Sequence, residues 1–297
     1  MKKNNKNLIL CFILISLLAL YLMNSSLTVN NVIAYTELFI KKLFPVTFVV
    51  FVFSSLLIDC GFIELITTTL HLNGSVFYVT VMSLLSGFPS GAKYTTDLLK
   101  KELISDTQAN YLIKFTHFPN PLFILGAVDS LFINKKMPLL MLISLISSNI
   151  IIAICSNNRK RHIIAHTKKE VLDFSSSLSS AIISAARVLV NIYGISLFFY
   201  LISVIINNYF SLSLFNYVLI NGFFDLTKGV FSTSLISNEV IKAILIILFV
   251  SLGSLSIHMQ IRSIIANTNI KYKNFLIARF IQFILSIIIF FCLLKLV

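Results

Sequence analysis

Leu84-Leu85-Ser86-Gly87-Phe88-Pro89-Ser90-Gly91-Ala92-Lys93 sets Gly87, Pro89 and Gly91 at the end of a stretch that is otherwise as apolar as a membrane interior. Glycine frees the backbone and proline removes a donor, so this sequence cannot continue an undisturbed helix. Hydrocarbon offers no partner to a freed N–H or C=O. Irregular backbone therefore persists at membrane depth only where protein buries it or where it lines a cavity. Residues 87–91 are expected to form a non-helical turn buried in protein, with a helix opening at Ser90 or Gly91.

Outward from this break, the chain reads as a membrane protein throughout. Of its 297 residues 57% are hydrophobic and 12% charged, 27 are Phe, and the mean hydropathy is +0.93. A soluble domain of this size needs far more polar surface. Uncharged stretches that cross, or nearly cross, a hydrocarbon core of about 30 Å occupy residues 8–27, 43–58, 72–92, 137–155, 188–206 and 280–294. Interrupted pieces occupy 115–128, 210–224 and 243–257. The net charge of +13 does not indicate nucleic acid, because the basic residues sit in short tracts between apolar segments. Positive-inside bias accounts for them. Arg159, Lys160, Arg161, Lys168 and Lys169 put that loop in the cytoplasm, and Lys2, Lys3 and Lys6 put the N-terminus there too. Residues 1–23 resemble a signal peptide but lack an A-x-A-like cleavage site, so a retained first span is expected.

The order of spans suggests two similar units, each with a clean span, two broken segments and a closing span. With the N-terminus and the basic loop on one side, charge parity makes them an inverted repeat with re-entrant elements. The expected fold is an all-α polytopic membrane helical bundle with two inverted repeats containing broken or re-entrant helices. Its divisions are an N-terminal transmembrane helix at 1–30, a first repeat at 31–156, a basic cytoplasmic linker at 157–187 and a second repeat at 188–297. Ser86-Gly87-Phe88 is echoed by Asn221-Gly222-Phe223, 135 positions later. Ser105 to Gln108 has the spacing of a capping box opening a helix to about Phe118. That helix runs into Pro119-Asn120-Pro121, a second break.

No Walker A, G-x-G-x-x-G, G-x-S-x-G or H-E-x-x-H pattern occurs, so an enzyme is not expected. Cys11, Cys60, Cys155 and Cys292 lie singly in or beside apolar segments and read as packing thiols, without a disulfide framework or metal site. No cofactor is expected. The candidate solute-binding residues are Ser90 and Gly91, at an open helix N-terminus that suits an anionic or polar group, with Lys93 adding charge or else snorkelling to headgroups. Asn120 either caps a helix end or faces a ligand; His117 either touches a ligand or bonds a freed carbonyl. Asp225, acidic where lipid makes charge costly, either pairs with Lys228 at i, i+3 or faces a cavity. Ser254, His258 and Gln260 end an apolar segment with polar groups, at a site or at a close helix contact. Gly87, Pro89, Pro119, Pro121, Gly222 and Gly253 are the expected structural breaks.

The motifs 86–93, 95–101 with 104–109, 120–126, 222–225 with Gly229, and 253–260 resemble, in this order, the YlbJ family of sporulation integral membrane proteins. That family lies within the set of membrane proteins with a nucleoside recognition or Gate domain. The resemblance covers about residues 35–290. It implies a multi-pass cell-membrane protein of endospore formation, connected with the spore cortex and transporter-like. The implied partners are the lipid bilayer and a small polar solute of nucleoside-like class, with a homo-oligomer left open. The rival implication is a non-transporting scaffold that recruits partners during sporulation.

Overall fold

The computed structural model describes residues 2–71, 73–156 and 173–296. The basic tract at 159–169, on which the cytoplasmic reading depends, lies outside the described residues. Every regular element among the described residues is helical.

Helix α1 (Lys2–Met23) meets α2 (Ser25–Leu38) at Asn24, where the path bends by 93°. The expected uninterrupted first span at 8–27 is thus broken. Asn24 takes non-helical dihedrals and its amide donates to the Leu20 carbonyl and to the Tyr209 hydroxyl. Helix α2 passes through a π turn (Phe39–Leu43) into α3 (Phe44–Asp59), so residues 25–59 make one long helical path. Two shorter helices follow, α4 (Phe62–Leu70) and α5 (Gly74–Ser86).

The first break comes after Ser86. Gly87 adopts φ 76°, Phe88–Pro89 is a cis bond, and α6 (Ser90–Lys100) begins where expected. A tight tip leads to α7 (Asp106–Phe115), which opens on the capping box with both of its bonds made. It ends three residues before Phe118, because Pro119 disfavours helical dihedrals at the residue before it and supplies no N–H. After residues 116–120 the chain runs through a π turn (Phe123–Val128) and a short 3-10 turn (Asp129–Leu131) into α8 (Lys136–Cys155).

The second unit opens with α9 (Phe174–Tyr209), 36 residues and about 54 Å long. It begins earlier than the sequence suggests, with Asp173 accepting from the Ser175 N–H as its cap, so residues 174–187 of the expected linker belong to the helix. Then come α10 (Leu214–Phe224), a break at Asp225, α11 (Leu226–Ser232) with a 3-10 turn (Thr233–Leu235), and α12 (Glu239–Leu252). A break at Gly253 and Ser254 leads to α13 (Leu255–Ile265), and α14 (Tyr272–Leu294) closes the described chain. Gly222 is not a break: it lies within α10, and the echo of Ser86-Gly87-Phe88 is not a structural equivalence. Four helical stretches among the described residues are long and apolar enough to cross a membrane, and six if each bent pair is one span.

The two hairpin tips dock at opposite ends of α8. The α6–α7 tip docks on the turn before α14: Asn269 donates to Asp106 at 2.9 Å, and Asn110 accepts from the Lys271 N–H at 2.8 Å. Reciprocally, the α11–α12 tip docks on the turn before α8, where Glu239 accepts from the Ile133 N–H at 2.6 Å and Lys242 donates to the Leu131 carbonyl at 2.6 Å. Helix α8 joins these two places. It starts beside Glu239 and ends near Tyr111, whose hydroxyl donates to the Ala153 carbonyl at 3.0 Å. Its 20 residues span about 30 Å, so the two hairpins enter from opposite ends of a membrane-length helix. Against them, the 25–59 path and α9 pack antiparallel through Asn31 with Tyr200 and Thr36 with Tyr193.

The four cysteines do not pack in the core as expected. Cys11, Cys60, Cys155 and Cys292 are all exposed on the protein's outer surface.

Candidate functional site

In the first unit the two breaks touch. A Cβ on Gly87 would come within 2.8 Å of the Asn120 backbone N, and one on Gly91 within 2.1 Å of the Thr116 carbonyl oxygen. Only glycine lets these backbones meet. Phe88 stacks on His117 with ring centroids 4.7 Å apart. Ser90 is buried, donates to the Gly87 carbonyl and accepts from Ser86, while Tyr94 donates to Ser86. These hydroxyls satisfy the turn itself. Lys93 is buried rather than snorkelling; its ammonium is 2.6 Å from Asp97 and lies over the rings of Phe51 and Tyr94. Asn120 is a cap, accepting from the Leu122 N–H at 2.8 Å.

The second unit builds its pair of breaks differently. Gly222 and Gly229 sit back to back, and Phe249 fills the space a Cβ on Gly222 would need. Asp225 is buried at 1% exposure and caps α11, accepting from the Lys228 N–H at 2.9 Å. Its other oxygen faces Ser256 across the second break at 3.4 Å, and Ser256 is 2.8 Å from Ser254. The Lys228 ammonium does not pair with Asp225. It lies over the Tyr200 ring, 4.7 Å from the centroid, and the pair is absent from the ion pairs of the described residues. Gln260, also buried, donates to Ser196 at 2.7 Å and leaves its Oε1 without a donor. His258 bonds the Tyr272 hydroxyl at 2.7 Å.

Aromatic contacts join the two sets of polar groups. His117 and His258 both meet the Phe275 ring edge to face, at 5.4 and 5.6 Å between centroids. No direct hydrogen bond among the described residues joins Ser90, Lys93 or Asn120 to Asp225, Ser254 or Gln260.

A curated protein of Bacillus subtilis (strain 168), the sporulation integral membrane protein YlbJ, is 26% identical over 294 residues, covering 82% of this chain and 71% of that protein. The chain is similar to YlbJ over most of its length. No family model matches it, and no solved structure does. With an integral membrane protein as relative and several membrane-length apolar helices, the chain is a membrane protein.

The chain also carries buried charge at a position that the sequence patterns above do not single out. Arg279 of α14 is fully buried. Its guanidinium donates to Gln282, to the Lys114 carbonyl at 2.6 Å and to Asn149 at 3.4 Å, and its Nε has no partner. Asn149 in turn donates to the His117 carbonyl at 2.8 Å. The Lys114 carbonyl belongs to the last turn of α7, where the break leaves acceptors free and the helix dipole is negative. Arg279 thus caps a broken helix from the opposite unit. The signal available in sequence was a lone arginine inside an apolar segment, which by default marks a functional or partnered position.

Proposed function

We propose that this chain is a carrier-type membrane protein of spore formation that binds a small polar solute between its two broken hairpins and moves it across the cell membrane. The observation that carries the reading is the entry of the hairpins from opposite ends of α8, so that two pairs of interrupted helices, with buried Ser90, Lys93, Asp225 and Gln260, lie in the interior. Inverted units with broken helices can expose one interior site to either side by rocking one unit against the other. Asp225, Ser254, Ser256 and Gln260 on one side, and the Ser90 helix end with Lys93 on the other, are the solute-facing groups in this reading. The sporulation role rests on the relative's name, and the nucleoside-like class on the motif resemblance.

The test is uptake of radiolabelled nucleosides and other small polar solutes into proteoliposomes of the purified chain. Saturable uptake, lost in a Gly91→Leu variant that still inserts, supports the carrier. Absence of uptake for every solute, with sporulation defects still complemented by the chain, refutes it and leaves a scaffold that recruits partners.

A further inference from the structure

We propose that Asp225 is a proton-binding site, and that the chain takes up and releases one proton there as its hairpins rearrange. Among the described residues Asp225 is the only buried carboxyl group; the other buried charges, Lys93, Lys242 and Arg279, are all basic. A charge at membrane depth is unfavourable unless paired, and this one has no ion-pair partner. The charged and titratable groups facing it are Lys228 of its own helix, whose ammonium is held over Tyr200, and the phenols of Tyr35 on α2 and Tyr200 on α9. Helix α13 presents hydroxyls only, Ser256 and behind it Ser254.

These hydroxyls let the same geometry satisfy both states of the carboxyl group. Ionised, Asp225 accepts from the Lys228 N–H on Oδ1 and from the Ser256 hydroxyl on Oδ2. Protonated on Oδ2, it donates to the Ser256 oxygen, and the Ser256 hydrogen turns to Ser254, where either oxygen can be the donor. Proton binding forms one O–H bond on Oδ2 and breaks one in hydronium, leaving water; release is the reverse, and no oxidation state changes. A permanent ion pair would hold the ammonium against the carboxylate, and a purely structural cap would need no rotatable pair of hydroxyls across the opposite break. Since Asp225 spans the breaks at 225 and 253–254, a change in its charge alters the contact between two broken helices.

Proton binding is independent of the carrier reading; its coupling to solute movement rests on that reading. Infrared difference spectra of the purified chain across the neutral pH range are expected to show a buried carboxylic C=O band that titrates, is lost in Asp225→Asn and is retained, shifted, in Asp225→Glu. Asparagine remains a good helix cap, so the first variant is expected to fold. A wild-type spectrum with no titrating carboxyl band that Asp225→Asn removes overturns the proposal. In proteoliposomes, whatever uptake Asp225→Asn retains is expected to be insensitive to an imposed pH gradient, whereas wild-type uptake responds to it; uptake by Asp225→Asn that still rises with the gradient overturns the coupling. A titrating band with no transport of any solute sustains the proton site and overturns the carrier.

Discussion

Replacing Gly91 by alanine tests whether the touching breaks hold the first unit together. The added Cβ would sit 2.1 Å from the Thr116 carbonyl oxygen and 2.8 Å from its Oγ1. Ordinary contact needs roughly 3.5 Å, so one segment must move by about 1 Å or more. The obstacle is backbone, in a segment held by Asn149 on the His117 carbonyl. It cannot swing aside like the end of a flexible side chain. Overpacking of this kind costs about 1–3 kcal/mol, and the better helix propensity of alanine returns up to about 1 kcal/mol. The net loss is about 1–2 kcal/mol, or a fall of about 2–3 °C in apparent midpoint for a chain of this size. Gly194→Ala is the matched control: nothing lies within 4 Å of its Cβ, and it sits inside α9. Its stability should hold or rise. Heating in detergent, with the surviving monodisperse peak measured by size-exclusion chromatography, reads both. A Gly91→Ala protein as stable as Gly194→Ala would refute the close contact.

Two further outcomes follow from the same geometry. Asp97→Asn leaves the Lys93 ammonium buried without its counter-ion, whereas Lys93→Met leaves an Asp97 whose side chain keeps 23% exposure and can hydrate. The first should therefore destabilise more, by about 3 kcal/mol, the low end for a broken buried pair, and equal midpoints for the two variants in the heating assay would contradict this. Glu239→Ala should speed amide hydrogen exchange at Ile133 and Asn134, which donate to it, while the Asn269–Lys271 turn stays protected; Asn110→Ala should do the converse at Lys271. Loss of protection at both turns in either variant would mean that the hairpin tips are not docked independently.

What the sequence disclosed depended on how local the cause was. The break at Gly87 and Pro89 was legible because the residues that end α5 lie within it, and the α7 start because both halves of its capping box are three positions apart. The Gly222 echo misled because a glycine inside a helix can serve close packing instead of interruption, and only Phe249 and Gly229 reveal which. The start of α9 was hidden by Ser175, Ser176 and Ser177, which read as a loop until Asp173 is seen to cap them. Asn24 bends the first span through a bond to Tyr209, 185 positions away. Of the proposed site residues, Asn120 turned out to be a cap, and the Asp225–Lys228 pair joins through a backbone N–H rather than through two charges. The role of Arg279 was not legible because two of its three acceptors lie 165 and 130 positions away.

Three helix ends at the breaks and turns meet a group of the opposite sign to their dipoles. The C-terminal carbonyls of α7 meet Arg279, the carbonyl ending the turn before α8 meets Lys242, and the N-terminus of α11 meets Asp225. Two of these three partners come from distant parts of the chain, so those two helix ends are satisfied by tertiary assembly rather than by local sequence. That arrangement separates structural polarity from functional polarity. Arg279 and Lys242 each stabilise a carbonyl that hydrocarbon would leave unsatisfied, and moving either away would leave that carbonyl without its cationic donor. Asp225 differs, because the N–H it accepts from engages one oxygen and its second oxygen reaches across to another break through a long contact to a rotatable hydroxyl. A group with one fixed bond and one adjustable bond can change state without losing its place, which is why a rocking motion would draw on Asp225 rather than on the two buried basic caps.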